Sequence, residues 1–130
     1  LDLYSNGIMV SQKLLKDNPK AVAGLVRAIN TAIKDVIADP EMGVKALAKI
    51  EPLINQDVEK KRIAYALGNL MNGAEFTELG FGDLTDGKLT RSIDVIAEAY
   101  ELKAKPKASD VFNRSFLPAK SDRMFAPKPN

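Results

Sequence analysis

Apolar residues recur at helical spacing through most of the chain. The clearest run starts at Asn18-Pro19, after which Val22, Leu25, Val26, Ile29, Ile33, Val36 and Ile37 form one stripe at three- and four-residue steps. Asn18 suits the N-cap and Pro19 the first helical position, where a missing N–H has no helical partner to lose. The pattern predicts a helix over 19–38. Asp39-Pro40 repeats the start signal, with Glu41 adding negative charge to the first turn, and predicts a helix over 41–49 that ends before Pro52. Ser11 predicts the cap of a short helix over 12–16. Val58, Ile63, Leu67, Leu70 and Met71 predict a helix over 57–72, opened by Asn55 or Gln56 and stopped by Asn72-Gly73. Leu89, Ile93, Ile96, Ala97 and Tyr100 predict one over 88–101, capped by Asp86, and residues 73–87 read as a glycine-rich loop.

The first ten residues follow another pattern. They hold one strand candidate within 3–10, best placed at Gly7–Val10. Asn6-Gly7 is ordinarily a hairpin signal. No partner strand precedes it, so it predicts a bend or a close backbone approach. A solitary strand cannot satisfy its own N–H and C=O groups, and the stripe of helix 19–38 needs a sheet or several helices against it. The expected object is therefore incomplete: a mainly α chain, one strand plus about five helices over 1–102. A sheet supplied elsewhere, by another chain or the remainder of a larger α/β fold, would complete it. A basic tail broken by prolines fills 103–130, with Phe112, Phe116 and Phe125 as packing anchors. The chain opens on Leu1, with no basic segment leading into an apolar one, so a processed or excised piece without a signal peptide is expected.

Composition narrows the chemistry. The chain has 130 residues, 45% hydrophobic and 28% charged, which fits one folded domain at most. It has no His and no Cys, which excludes a thiolate nucleophile, a Ser-His-Asp relay and ordinary zinc, copper or haem ligation. Any metal would have to be a hard, oxygen-bound cation, and acid–base work would fall to carboxylates, Lys or Tyr. No catalytic residue, metal or cofactor is expected. No apolar run approaches the roughly 18–20 residues of a membrane span.

Charge is uneven along the chain. Residues 53–102 carry a net −4, whereas 103–130 carry seven basic and two acidic groups, a net +5, with four of the seven prolines. The tail lysines are spread out, and prolines interrupt any helix that might align them, so no nucleic-acid partner is expected.

Several motifs have plainer readings. Gly82, Gly87 and Lys88 satisfy G-x-x-x-x-G-K, but Leu89 stands where a phosphate loop needs Ser or Thr, and Asp83 and Asp86 would repel phosphate. A glycine turn leading into a capped helix is the expectation. Asp83, Asp86, Glu75 and Glu78 lack the alternating ligand spacing of a calcium loop and read as a solvated acidic loop. Glu59-Lys60-Lys61-Arg62 reads as an exposed helical face, and Asn113-Arg114-Ser115 fits a glycosylation sequon. The one polar cluster with the makeup of a ligand contact is Tyr4, Ser5 and Asn6 beside Gly7: a phenol, a hydroxyl, an amide and a residue permitting backbone approach, at the mouth of the strand candidate.

The stretch YSNGIMVSQKLLKDNPKAVAGLVRAINTAIKDVIADPEMGVKALAK resembles the C-terminal part of a periplasmic substrate-binding protein of the nitrate/sulfonate/taurine and thiamine-pyrimidine-precursor type. GFGDLTDGKLTRSIDVIAEAYEL and DVFNRSFLPAKSDR are similar to that family's closing helix and tail. The resemblance implies an α/β parent fold, the two-lobed type 2 periplasmic binding protein, in which this chain completes lobe 1. It further implies a non-catalytic ABC-importer component, periplasmic or anchored outside the cytoplasm as a lipoprotein. Its partners would be a small solute, the inner-membrane permease and the remainder of the parent chain. Tyr4, Ser5 and Asn6 would touch the solute, and a hinge near Leu3–Gly7 would absorb lobe closure. An exposed strand edge would also favour homodimers. Two alternatives stand beside this reading: a stand-alone helical interaction module, and a thiamine-pyrimidine biosynthetic enzyme of similar fold, whose active-site histidine has no counterpart here.

Overall fold

The computed structural model describes residues 3, 6–71 and 73–125. Its elements are α1 (Gln12–Asp17), α2 (Pro19–Ala38), α3 (Pro40–Ile50), α4 (Gln56–Tyr65), a π-helical turn (Ala66–Leu70), α5 (Ala74–Leu79), α6 (Asp86–Ala99), α7 (Ala108–Val111), a 3₁₀ turn (Arg114–Phe116) and α8 (Lys120–Arg123).

The first three helices are joined through single residues, and proline is the reason. A residue before Pro is sterically kept out of the helical region, and Asn18 and Asp39 are non-helical, at φ −146° and −138°. Each ends one helix and starts the next. The Asn18 N–H donates to the Leu14 carbonyl at 2.9 Å while its side-chain oxygen accepts from the Ala21 N–H at 3.1 Å. Asp39 donates to the Asp35 carbonyl and accepts from the Glu41 and Met42 N–H groups. Ser11 and Asn55 cap α1 and α4 in the same way.

Helices α2, α3 and α4 meet at Gly43. A Cβ there would lie 3.0 Å from a Val36 methyl and 3.5 Å from Ile63, so the missing side chain sets how closely the three pack. Val44, next in the chain, is fully buried. On α2 the covered line runs through Val22, Val26, Asn30 and Ile37, while Leu25, expected inside, is half exposed. The buried Asn30 amide donates to the Val26 carbonyl at 3.2 Å, turning part of its polarity inward along its own helix. A second cluster joins Leu84, Leu89 and Ile93 to Phe112. A third sets Phe76, Phe81 and Phe125 edge to face or tilted, with centroids 5.4–6.1 Å apart and the Lys34 ammonium of α2 over Phe125.

Five expectations need correction. The strand within 3–10 is absent from the described residues: Leu3 and residues 6–10 have no strand pairing, and Tyr4 and Ser5 lie outside the described residues. A ladder needs a second strand, and none is assigned among the described residues. The 73–87 loop contains α5, and the 103–130 tail contains α7, the 3₁₀ turn and α8. The 57–72 helix is α-helical only to Tyr65, then widens into the π turn, where the Asn69 amide bonds the Tyr65 carbonyl. Thr85 rather than Asp86 caps α6: its hydroxyl accepts from the Lys88 N–H, and Asp86 becomes the first helical residue.

Val44→Ala removes two carbons from the tightest place in the core. At about 0.8 kcal/mol per methylene plus the cavity left behind, the loss is about 2–3 kcal/mol. A urea titration should show a lower midpoint with an unchanged slope.

Candidate functional site

Of the N-terminal cluster singled out from sequence, only Asn6 falls within the described residues. Tyr4 and Ser5 lie outside the described residues, Asn6 is exposed, and nothing lies within 4 Å of a Cβ built on Gly7.

The best-built polar site lies where the tail returns to the loop before α6. The Asp83 carboxylate is its centre. Arg114 Nε donates to Asp83 Oδ1 at 2.8 Å, and Arg114 Nη2 reaches the Leu84 carbonyl at 2.6 Å and Asp86 Oδ1 at 2.8 Å. Arg123, itself buried, lies 3.5 Å from the other Asp83 oxygen and donates to three main-chain carbonyls: Pro118 at 3.0 Å, Leu79 at 3.0 Å and Phe81 at 3.2 Å. The Leu79 carbonyl ends α5, where helical carbonyls lack partners, and Phe81 lies just past its C-cap. The backbone closes the same joint, since the Phe81 N–H donates to the Arg123 carbonyl at 2.9 Å. Gly80 makes that approach feasible. Its φ of +82° and ψ of 167° are nearly exclusive to glycine, and a Cβ would sit 3.0 Å from the Arg123 carbonyl oxygen.

Beside it, Glu75 of α5 is tied to the start of α6. It accepts from Lys88 Nζ at 2.9 Å and from the N–H and hydroxyl of Thr85, both at 3.1 Å. The lysine bond, helped by those from Thr85 against partial burial, holds the Glu75 pKa below its ordinary value. Arg114 is pushed up, first by its bond to Asp83. Both shifts favour the charged form. These groups hold fixed charges and are not set to pass protons.

The acidic loop is therefore not the solvated one expected from sequence. Asp83 is only 14% exposed and Glu75 is ion-paired, while Asp86 stays mostly in water although it touches Arg114. Lys88, the lysine of the phosphate-loop look-alike, is already bound to Glu75, which agrees with the glycine-turn reading. In the α4 charge cluster, Lys60 pairs with Glu41 of α3 and Arg62 with Glu59. Among the described residues no group of three or more acidic side chains could hold a metal ion, and no helix is long and apolar enough to cross a membrane.

An open depression of about 450 Å³ flanks the joint, lined by Asp86, Leu89, Ala108, Phe112 and Arg114 among others. Its one cation, Arg114, has its Nε and Nη2 donors engaged and its plane 5.3 Å from the Phe112 ring centre. The arrangement fastens the tail. Sequence reasoning missed this joint. Two signals pointed to it: the opposite charges of 53–102 and 103–130, and two arginines among the tail's five lysines. Arginine's planar fork suits several acceptors at once.

Two outcomes follow. Arg123→Lys keeps the charge but cannot span three carbonyls, and should cost about 2 kcal/mol while speeding amide exchange at Gly80 and Phe81. Glu75 has a lowered folded-state pKa, so its contribution is complete above the ordinary glutamate value of 4.5 and is lost as pH falls through the lower folded value. Glu75→Gln should therefore be less stable than the parent at neutral pH, and denaturation curves at falling pH should show the two converge.

Residues 1–42 match the family described as NMT1/THI5 like. The matched part covers the N-terminal stretch, α1, α2 and the first residues of α3. No curated protein and no solved structure matches the chain. That family consists mostly of non-catalytic substrate-binding proteins and includes a related biosynthetic protein, so the match supports a domain of substrate-binding type.

Proposed function

We propose that this chain forms the closing part of one lobe of an extracytoplasmic solute-binding protein. That protein would serve an ABC importer and carry a small anionic or heterocyclic solute such as a sulfonate, nitrate or pyrimidine to the permease, without catalysis. The match over residues 1–42 carries the reading. It spans both X-Pro helix starts, two of the features whose order and spacing carry the resemblance to the binding-protein pattern.

The distribution of apolar surface supports it. Ile50 is 84% exposed, Leu53 92% and Met9 98%, and Leu25, Tyr65 and Leu70 are also uncovered. A chain that buries little more than Val22, Val26, Ile37, Val44 and the Leu84 cluster while leaving such side chains in water has the surface of a part awaiting its remainder. In the parent, Tyr4, Ser5 and Asn6 would lie at the cleft between lobes. The helical makeup of the described residues favours the second reading, a helical interaction module, but the thinness of its core weighs against independent stability.

Because the cleft needs both lobes, calorimetry of this chain with a panel of sulfonates, nitrate and pyrimidines should give no micromolar binding. The whole protein should bind one of them, and Tyr4→Ala, Ser5→Ala or Asn6→Ala should weaken it. Tight binding by this chain alone, or no binding by the whole protein, would overturn the proposal.

A further inference from the structure

Most asparagines whose placement is described have their side chains tied down. Asn18, Asn55 and Asn113 use the side-chain oxygen as a cap on backbone N–H groups, and Asn30 and Asn69 donate the amide to the carbonyl four residues back. Asn6 does neither. It is exposed, lies in no helix and bonds no described residue. The next residue is Gly7, whose surroundings are open to 4 Å around a built Cβ. Gly7 also puts the least steric restriction on rotating its own nitrogen toward the Asn6 side chain.

We propose that Asn6-Gly7 is a site of spontaneous covalent modification, through a cyclic imide, that places a negative charge at position 6. The Gly7 main-chain nitrogen forms a bond to Asn6 Cγ. The Cγ–Nδ2 bond breaks, and the nitrogen leaves as ammonia, taking up the proton that the Gly7 amide gives up. Water then adds to one of the two imide carbonyls and the ring C–N bond opens. Opening on one side gives Asp. Opening on the other gives isoaspartate, with the main chain rerouted through the former side chain. One water is consumed and one ammonia released, with no change of oxidation state. The reaction requires a freely rotating Asn side chain and an unengaged following N–H. Asn18 is barred because Pro19 has no N–H, and the four other tied asparagines are held by the bonds just described. The inference does not rest on the solute-binding reading.

The test is incubation of the chain at mildly alkaline pH, folded and in urea, followed by tryptic mapping. Peptide 1–13 contains Asn6 and no other asparagine. Aspartate and isoaspartate forms of that peptide should accumulate at the same rate folded and in urea. Asn30, Asn55, Asn69 and Asn113 should convert more slowly folded than in urea. Gly7→Ala should lose most of the conversion at Asn6 while leaving the helical circular dichroism unchanged. Conversion of Asn6 that is slower in the folded chain than in urea would overturn the proposal, as would equal folded-state rates at Asn6 and the tied asparagines.

Discussion

Asp83 carries two guanidinium groups on one mostly covered carboxylate, and the chain beyond Gly73 is arranged around it. Removing a carboxylate from water is costly unless its charge and lone pairs are met. Here Arg114 meets one oxygen, Arg123 approaches the other, and the Leu84 N–H donates back to Oδ1 at 2.9 Å. Arg123 is itself buried and needs acceptors for its remaining donors, which the carbonyls of Pro118, Leu79 and Phe81 provide. The joint thus satisfies three sets of otherwise unpaired groups at once: a carboxylate, a guanidinium and the carbonyl end of α5. Few other places in this small core could hold α5, α6 and the tail in register.

The joint also connects to the helical layer at the other end of the chain. Its backbone bond between Phe81 and Arg123 brings Phe125 onto Phe76 and Phe81, and Lys34 of α2 lies over that ring. The aromatic cluster is therefore where the X-Pro-punctuated helices and the tail share a surface. It forms only because Gly80 lets the chain pass within 3.0 Å of Arg123.

What could be read from the sequence divides along physical lines. The helix starts were legible because their cause is local: Asn18, Asp39 and Asn55 each act on N–H groups two or three residues away, and proline restricts the residue before it. Phe112 and Phe125 were identifiable as anchors because a large apolar residue in a polar tail has little other reason to be there. Partners distant in sequence were not legible. Nothing near Asp83 announces Arg114, 31 residues on, and the helix over 74–79 looked like loop because glycines bracket it. The Asp86 cap was misassigned by one residue, since Thr85 and Asp86 are both competent and only the fold decides which hydroxyl or carboxylate faces the Lys88 N–H. Of the candidate ligand contacts, only Asn6 falls within the described residues, and its environment is water rather than a cleft.

The missing strand bears most directly on function. Extended backbone is stable only when its amides and carbonyls are paired or solvated, and residues 6–9 are in solvent. The same sequence beside a sheet would have both a ladder to join and a place for Ile8 and Met9, now 47% and 98% exposed. α2 and α3, by contrast, carry their own caps. The 42-residue family match covers both kinds of segment. The self-capped helices fold from local signals, whereas residues 6–9 before them lie in solvent without strand pairing.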